Sequence, residues 1–208
     1  MHQHLATVGN FLHHGMTRYL LLIISFFISI LSYAENSDFK QAVARFKTSQ
    51  NVKAKAVRIF HLGFLNKNVT SHGSLSISAP NKMNITVAKG KEQLDMTGND
   101  FTMKMFGLEH KTSSISNAQF KTFQAVLTAI INGTPTLLNG VKGIDISKSG
   151  DLLTISIDPS CELNKDKKPM FTSYTITLDC KSGVINTLRL NRKGKSYIEY
   201  TFSDFIFH

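Results

Sequence analysis

The residue types that most often do chemistry are sparse in this chain and poorly grouped. His61 and His72 would lie nearly opposite each other if the strands flanking residues 63 to 70 form a hairpin, and two imidazoles so placed could begin a metal site. Zinc needs a third ligand and a hydrogen-bonded outer shell. Neither is visible, so the pair reads as solvated cross-strand neighbours. Asp145 and Asp158 read as turn or strand-edge carboxylates, not as an acid/base pair. Cys161 and Cys180 are the chain's two cysteines, with no CxxC and no Cys/His cluster. If LLTISIDP and TSYTITLDC pair as antiparallel strands, Cys161 sits at the loop end and Cys180 at the opposite end. At about 3.4 Å per residue that separation exceeds the ~7 Å reach of a disulfide, and no bond is expected. GxSxG, GxxxxGK, GxGxxG and HExxH are all missing, which removes the common signatures of hydrolase, phosphate-binding and metalloprotease chemistry. The expectation is a protein that is not an enzyme, with no catalytic residue, metal or cofactor.

The positive signal is apolar and adaptable. There are 15 Phe and no Trp, and Met83, Met96, Met103, Met105 and Met170 fall in or beside strand-like runs. Methionine fills irregular space, which suits a pocket for flexible alkyl chains. Each buried acyl CH₂ is worth about 0.8 kcal/mol. The same residues could equally fill a core, and composition does not separate the two. Lys+Arg number 24 against 14 Asp+Glu, so anionic partners come into consideration. The basic runs Asn164 to Lys168 and Arg189 to Lys195 lie in or beside loops, as a solvated face or as a contact for an anionic membrane or an acidic protein.

These residues must be positioned by mostly β structure. Met16-Thr17-Arg18-Tyr19, the apolar run Leu20 to Leu31 and Ser32-Tyr33-Ala34 have the form of a secretory signal peptide. The run is too short to span a bilayer. Residues 1–34 are therefore expected to be a signal region, starting at Met16 and cut after Ala34, with 35–208 a single soluble domain in the periplasm and nucleic acid excluded as a partner. Asn36 and Ser37 can cap a helix carrying Phe39, Val43 and Phe46 that ends near Gln50. The period then switches to two: Gly73 to Pro80 alternates apolar residues with serine, and similar runs follow at Met83–Val87, Leu94–Met96, Phe101–Met105, Leu153–Ile157, Tyr174–Leu178, Leu188–Leu190 and Ile198–Phe202. With Gly, Asn, Asp and Lys between them, they predict an antiparallel meander. One helix interrupts it: Ser116 and Gln119 have capping-box spacing, Phe120, Phe123, Leu127 and Ile130 form a stripe, and Gly133 closes it. That stripe must be buried on the concave apolar face of the sheet. Lys142 to Lys148 begins the second half.

The order of these elements resembles the outer-membrane lipoprotein carrier family, the LolA-like proteins. The similarity covers nearly all of residues 36 to 208. It rests on the signal peptide, the opening helix, VKAKAVRIFHLGFLNKNVTSHGSLSISAPNKM, FKTFQAVLTAIINGT, LLTISIDP and YTITLDCKSGVINTLRLNRKGKSYIEYTFSDF, most of all the G-x-L-x-I-x-x-P-x-K-M string from Gly73 to Met83. The resemblance implies an α+β fold, mainly β: an incomplete antiparallel β-barrel of about eleven strands, with an N-terminal helix and a helical lid over the concave apolar face. It implies a monomeric carrier whose cavity holds the acyl chains of lipoproteins, taken from an inner-membrane ABC transporter and passed to an outer-membrane receptor or membrane surface. Three positions depart from the family: Ala79 stands where a basic residue commonly precedes the proline and closes the lid, Ala56 replaces a first-strand aromatic, and Arg58 replaces a glutamine. A carrier of another envelope lipid would accommodate those departures; a lipid-sensing envelope regulator on the same fold is the alternative reading. The expected lipid-binding residues are Leu75, Ile77, Met83, Ile85, Met96, Met103, Met105, Ile155 and Ile176 from the sheet, with Phe120, Phe123 and Leu127 from the lid.

Overall fold

The computed structural model describes residues 37–162 and 169–208. The signal region and cleavage site, Asn36, and Lys165, Lys167 and Lys168 of the first basic run lie outside the described residues. Residues 37–47 form helix α1. Then come β1 (Asn51–Leu62), β2 (Lys67–Ser78), β3 (Lys82–Val87), β4 (Glu92–Thr97), β5 (Asp100–Met105) and β6 (Leu108–Ser113). Helix α2 (Lys121–Ile131) follows, and β7 (Ile144–Ser149), β8 (Leu152–Ile157), β9 (Ser173–Asp179), β10 (Val184–Asn191) and β11 (Tyr197–Phe207) complete the order. All eleven strands belong to one sheet, ordered β6-β5-β4-β3-β2-β1-β11-β10-β9-β8-β7. Two meanders are thus joined by one seam, β1 against β11, with Ala56 opposite Phe202 and Phe60 opposite Ile198. The sheet does not close, because β6 and β7 stand at its two edges. This is the incomplete eleven-stranded barrel that the resemblance implied.

The alternation read from the sequence has a direct physical counterpart. Val52, Ala54, Ala56, Arg58 and Phe60 of β1 are buried in turn, and so are Met83, Ile85 and Val87 of β3. Side chains in a strand point alternately to opposite faces, and here one face is covered throughout both strands. Gly73 of β2 lies hard against the backbone of β3. A Cβ there would strike the Thr86 carbonyl oxygen and lie 2.7 Å from the Val87 Cα, so only glycine permits this curl.

Phe39, Ala42, Val43 and Phe46 of α1 are fully buried. The helix is held to the second half of the sheet by Lys148 Nζ on Asp38 (2.6 Å) and by Arg45 Nη1 donating to the Ser182 carbonyl (3.2 Å). Phe46 meets Phe207 edge-on at 5.5 Å between ring centroids. Ser37 is itself helical, and the helix stops at residue 47, a turn short of the expected end near Gln50. Two further expectations need correction. The turn of residues 63–66 places His61 opposite Asn68 and His72 opposite Val57, so the two histidines are not neighbours. The capping box at Ser116 and Gln119 does not form. Ser116 Oγ donates to the Ser113 carbonyl, Gln119 Oε1 accepts from the Met170 amide (2.8 Å), and the chain enters α2 through a 3-10 turn, Ala118–Phe120.

Candidate functional site

The site is assembled by register. Across the first half, Val52, Ile77, Met83, Met96 and Phe101 lie side by side on five successive strands, and the next inward row is Ala54, Leu75, Ile85, Leu94 and Met103. Across the second half, Ile155, Ile176, Leu188 and Tyr200 form one row and Ile157, Tyr174, Leu190 and Ile198 another. Every pair of neighbours in a row lies on one face of the sheet, so the rows make a continuous apolar floor.

Helix α2 roofs that floor. Its spacing puts Phe123, Val126, Leu127, Ile130 and Ile131 on the covered side, all buried. Phe123 stacks on Tyr174 of β9 at 4.5 Å and 9°, and faces Phe101 of β5 at 5.9 Å. Phe120 stacks on Phe101 at 5.0 Å. The helix therefore touches both meanders and spans the gap between them. Ten of the twelve residues expected from sequence are fully buried in this one cluster, and Met103 and Met105 are half-buried against it. Met170 is exposed.

The polar fastenings of α2 among the described residues include three at its ends. Asn132 Nδ2, just past the last turn, donates to the Pro80 carbonyl at 2.8 Å, and Thr122 Oγ1 donates to the Lys142 carbonyl at 3.2 Å. With the Gln119–Met170 bond, these tie each end of the helix to a loop and not to a strand. The Asn132 bond lands beside Ala79, where the family resemblance called for a basic latch, and supplies a neutral fastening instead. Gly133 ends the helix at φ +59°, its Cα facing Lys47 so closely that an added Cβ would lie 2.9 Å from the Lys47 Cα. A cavity of 520 Å³ opens beside the first turn of α2, lined by Asn99, Ser114, Ile115, Ala118, Lys121 and Gln124.

One charged pair sits within the apolar floor. Arg58 continues the row of Ile155, Ile176, Leu188 and Tyr200 across the seam, and its guanidinium forms an ion pair with Glu92 at the start of β4. The side chains are 1% and 11% exposed. Arg58 Nη2 also donates to Ser71 Oγ at 3.2 Å, while Arg58 Nε has no hydrogen-bond partner among the described residues. β1 and β4 are not adjacent, so the pair bridges the concave face over β2 and β3. Burial pushes the Tyr200 phenol well above its ordinary range, and Tyr174 likewise, so both are neutral hydroxyls in an apolar setting. Neither Arg58–Glu92 nor Asn132 was expected to matter. Arg58 carried one usable sign, a lone cation in phase with the buried positions of β1; Asn132 carried none.

The remaining chemistry-bearing residues are dispersed. Cys161 is exposed and Cys180 buried, both free. His61 stacks on Tyr197 at 4.8 Å and its Nδ1 lies 2.7 Å from Asn68 Oδ1. Asp158 accepts from the Ser160 amide in a turn. Among the described residues no group of three or more His, Cys, Asp or Glu could hold a metal ion.

No family model matches the chain, and no curated protein matches it. Among solved structures it is similar to an outer membrane lipoprotein-sorting protein domain from Vibrio parahaemolyticus, at 11% identity and a TM-score of 0.40, covering 83% of this chain and 92% of that one. It is similar to a LolA superfamily protein from Nitrosomonas europaea at 7% identity and a TM-score of 0.36, with coverage of 83% and 92%. The lipoprotein LppX of Mycobacterium tuberculosis is matched at 17% identity and a TM-score of 0.34, with coverage of 83% and 94%.

Proposed function

We propose that the chain is an exported, periplasmic, non-enzymatic carrier that binds the acyl chains of a lipoprotein or another envelope lipid between the concave sheet and α2, with α2 as the lid. The observation that carries this reading is the contrast within α2. Its inner face is apolar and meets both meanders, while the hydrogen bonds of Thr122 and Asn132, and of Gln119 just before it, run to loops at its ends. A helix so held can swing outward without breaking any strand pairing. Displacing Phe120, Phe123 and Leu127 would uncover the rows that pass through Leu75, Phe101, Ile155 and Tyr174, and an acyl chain would replace one set of dispersion attractions by another. The 520 Å³ cavity beside the first turn is the natural mouth for that exchange. Each CH₂ taken up contributes about 0.8 kcal/mol, enough for one long chain to offset the packing that the lid gives up. Transfer from an inner-membrane transporter and delivery at the outer membrane complete the proposal.

The test is native mass spectrometry of protein recovered from the periplasm without detergent, then organic extraction and identification of the released lipid. A bound acylated species released only on denaturation is expected, and its headgroup tells lipoprotein from another lipid cargo. A protein that is empty, and stays empty when offered acyl chains, would sink the carrier reading.

A further inference from the structure

One end of the sheet has the opposite character to its interior. The β1–β2 turn holds Phe64 and Leu65 at 78% and 58% exposure, and the β5–β6 turn and the first residue of β6 hold Phe106 and Leu108 at 60% and 77%. The two turns belong to one surface, because Phe106 lies against Phe60 near the end of β1 at 5.2 Å between ring centroids. On the other side of Phe64, the Gly63 amide donates to Ser196 Oγ at 3.0 Å. That bond brings up the β10–β11 turn with Arg192, Lys193 and Lys195, all exposed. The β3–β4 turn at the same end adds exposed Lys89 and Lys91.

No Asp or Glu occurs in residues 61–72, 88–91, 101–108 or 184–198. The nearest acids are engaged elsewhere: Glu92 with Arg58, Glu109 with Lys111 at 2.8 Å, and Glu199 with Arg189 at 3.5 Å. Phe106 also holds φ at +52°, a left-handed conformation that disfavours bulky residues and suits Asn or Gly. Its ring touches Phe60 on one side and otherwise stands in water, on a backbone that is costly for it.

We propose that this end docks on an anionic lipid bilayer, with Phe64, Leu65, Phe106 and Leu108 entering the boundary between headgroups and acyl chains, and the cations of the β3–β4 and β10–β11 turns on the headgroups. Apolar tips flanked by unopposed Lys and Arg combine the two attractions that hold proteins at such surfaces. A second copy is a poor occupant, since this face would meet its own positive charge. Docking of this kind goes beyond the carrier reading and does not depend on the cavity.

The chain has no tryptophan, so a single introduced indole reports without background. The full chain, used as the producing cell leaves it, is made with Phe64→Trp, Phe106→Trp or, as a control at the opposite end of the sheet, Ile206→Trp. Each is titrated with vesicles of phosphatidylcholine plus phosphatidylglycerol and of phosphatidylcholine alone. The expected result is a blue shift and quenching by brominated lipid at positions 64 and 106 but not 206, with anionic vesicles only. Replacing Arg192, Lys193 and Lys195 together by Gln should weaken partitioning by roughly a hundredfold, at ~1 kcal/mol per cation. Unshifted emission at 64 and 106, equal shifts with neutral vesicles, or a shift that grows with protein concentration in the absence of vesicles would each overturn the proposal. The last outcome would make this end an interface between copies.

Discussion

The concave interior and the hairpin-turn end are furnished from the same residue types, Phe, Leu and Lys or Arg, yet they treat them in opposite ways. In the interior Phe101, Phe123 and Leu127 are covered and the one arginine is neutralised by Glu92. At the turns Phe64, Phe106 and Leu108 stand in water and the lysines face no acid. The difference teaches that the interior is already satisfied by a part of the chain itself, α2, whereas no described residue covers the apolar tips of the turns.

That comparison can be broken most sharply at its charged member. Arg58→Ala should cost about 3–5 kcal/mol in urea unfolding, because it leaves Glu92 near-buried without its partner. Replacing both Arg58 and Glu92 by Met should recover most of that loss, and a double variant as weak as the single would mean that the pair does more than neutralise itself. Next in size, Phe123→Ala should lower stability by about 3 kcal/mol by opening space between Tyr174 and Phe101; a change under about 1 kcal/mol in the same assay would show that α2 is not the interior's cover. Asn132→Ala removes two neutral hydrogen bonds, from Nδ2 to the Pro80 and Thr128 carbonyls, and should cost about 1–2 kcal/mol. Stopped-flow uptake of a fluorescent fatty acid should nevertheless become faster if α2 is the lid. Phe106→Asn should change the melting temperature little, since Asn tolerates the left-handed backbone while the contact with Phe60 is lost, and anionic-vesicle binding falls. The smallest effect is chemical: burial raises the Cys180 thiol above its ordinary value, so alkylation followed by intact mass should stop after one adduct, at exposed Cys161.

Much of the fold was legible because burial imposes a period. The alternating runs of β3, β4, β8 and β9 read directly as half-covered strands, and the α2 stripe of Phe120, Phe123, Leu127 and Ile130 as a helix needing a floor. β6 was not legible: its Leu108–Ser113 segment is mostly exposed at a sheet edge, so no alternation is impressed on LEHKTS. The histidine pairing failed because register is set by the length of the 63–66 turn, which the flanking residues do not encode. The capping box failed through a distant competitor, as the Met170 amide takes the Gln119 oxygen. Arg58 was visible as an oddity on β1, but its partner lies three strands away and the curl at Gly73 that unites them is a tertiary property. The inward face was readable in strands; whether it holds a guest is a matter of lid energetics, which no local pattern records.

The β1–β11 seam bears on how the protein comes into being. Every other strand pairing joins chain neighbours, so each meander can zip from its own turns, whereas the seam needs the first and last strands together. Its loop-closure entropy must be met before its pairing offers any return. The sheet therefore stays in two unlinked pieces until β11 has emerged from whatever machinery delivers it, and the last step of its assembly is the one with the longest loop to close.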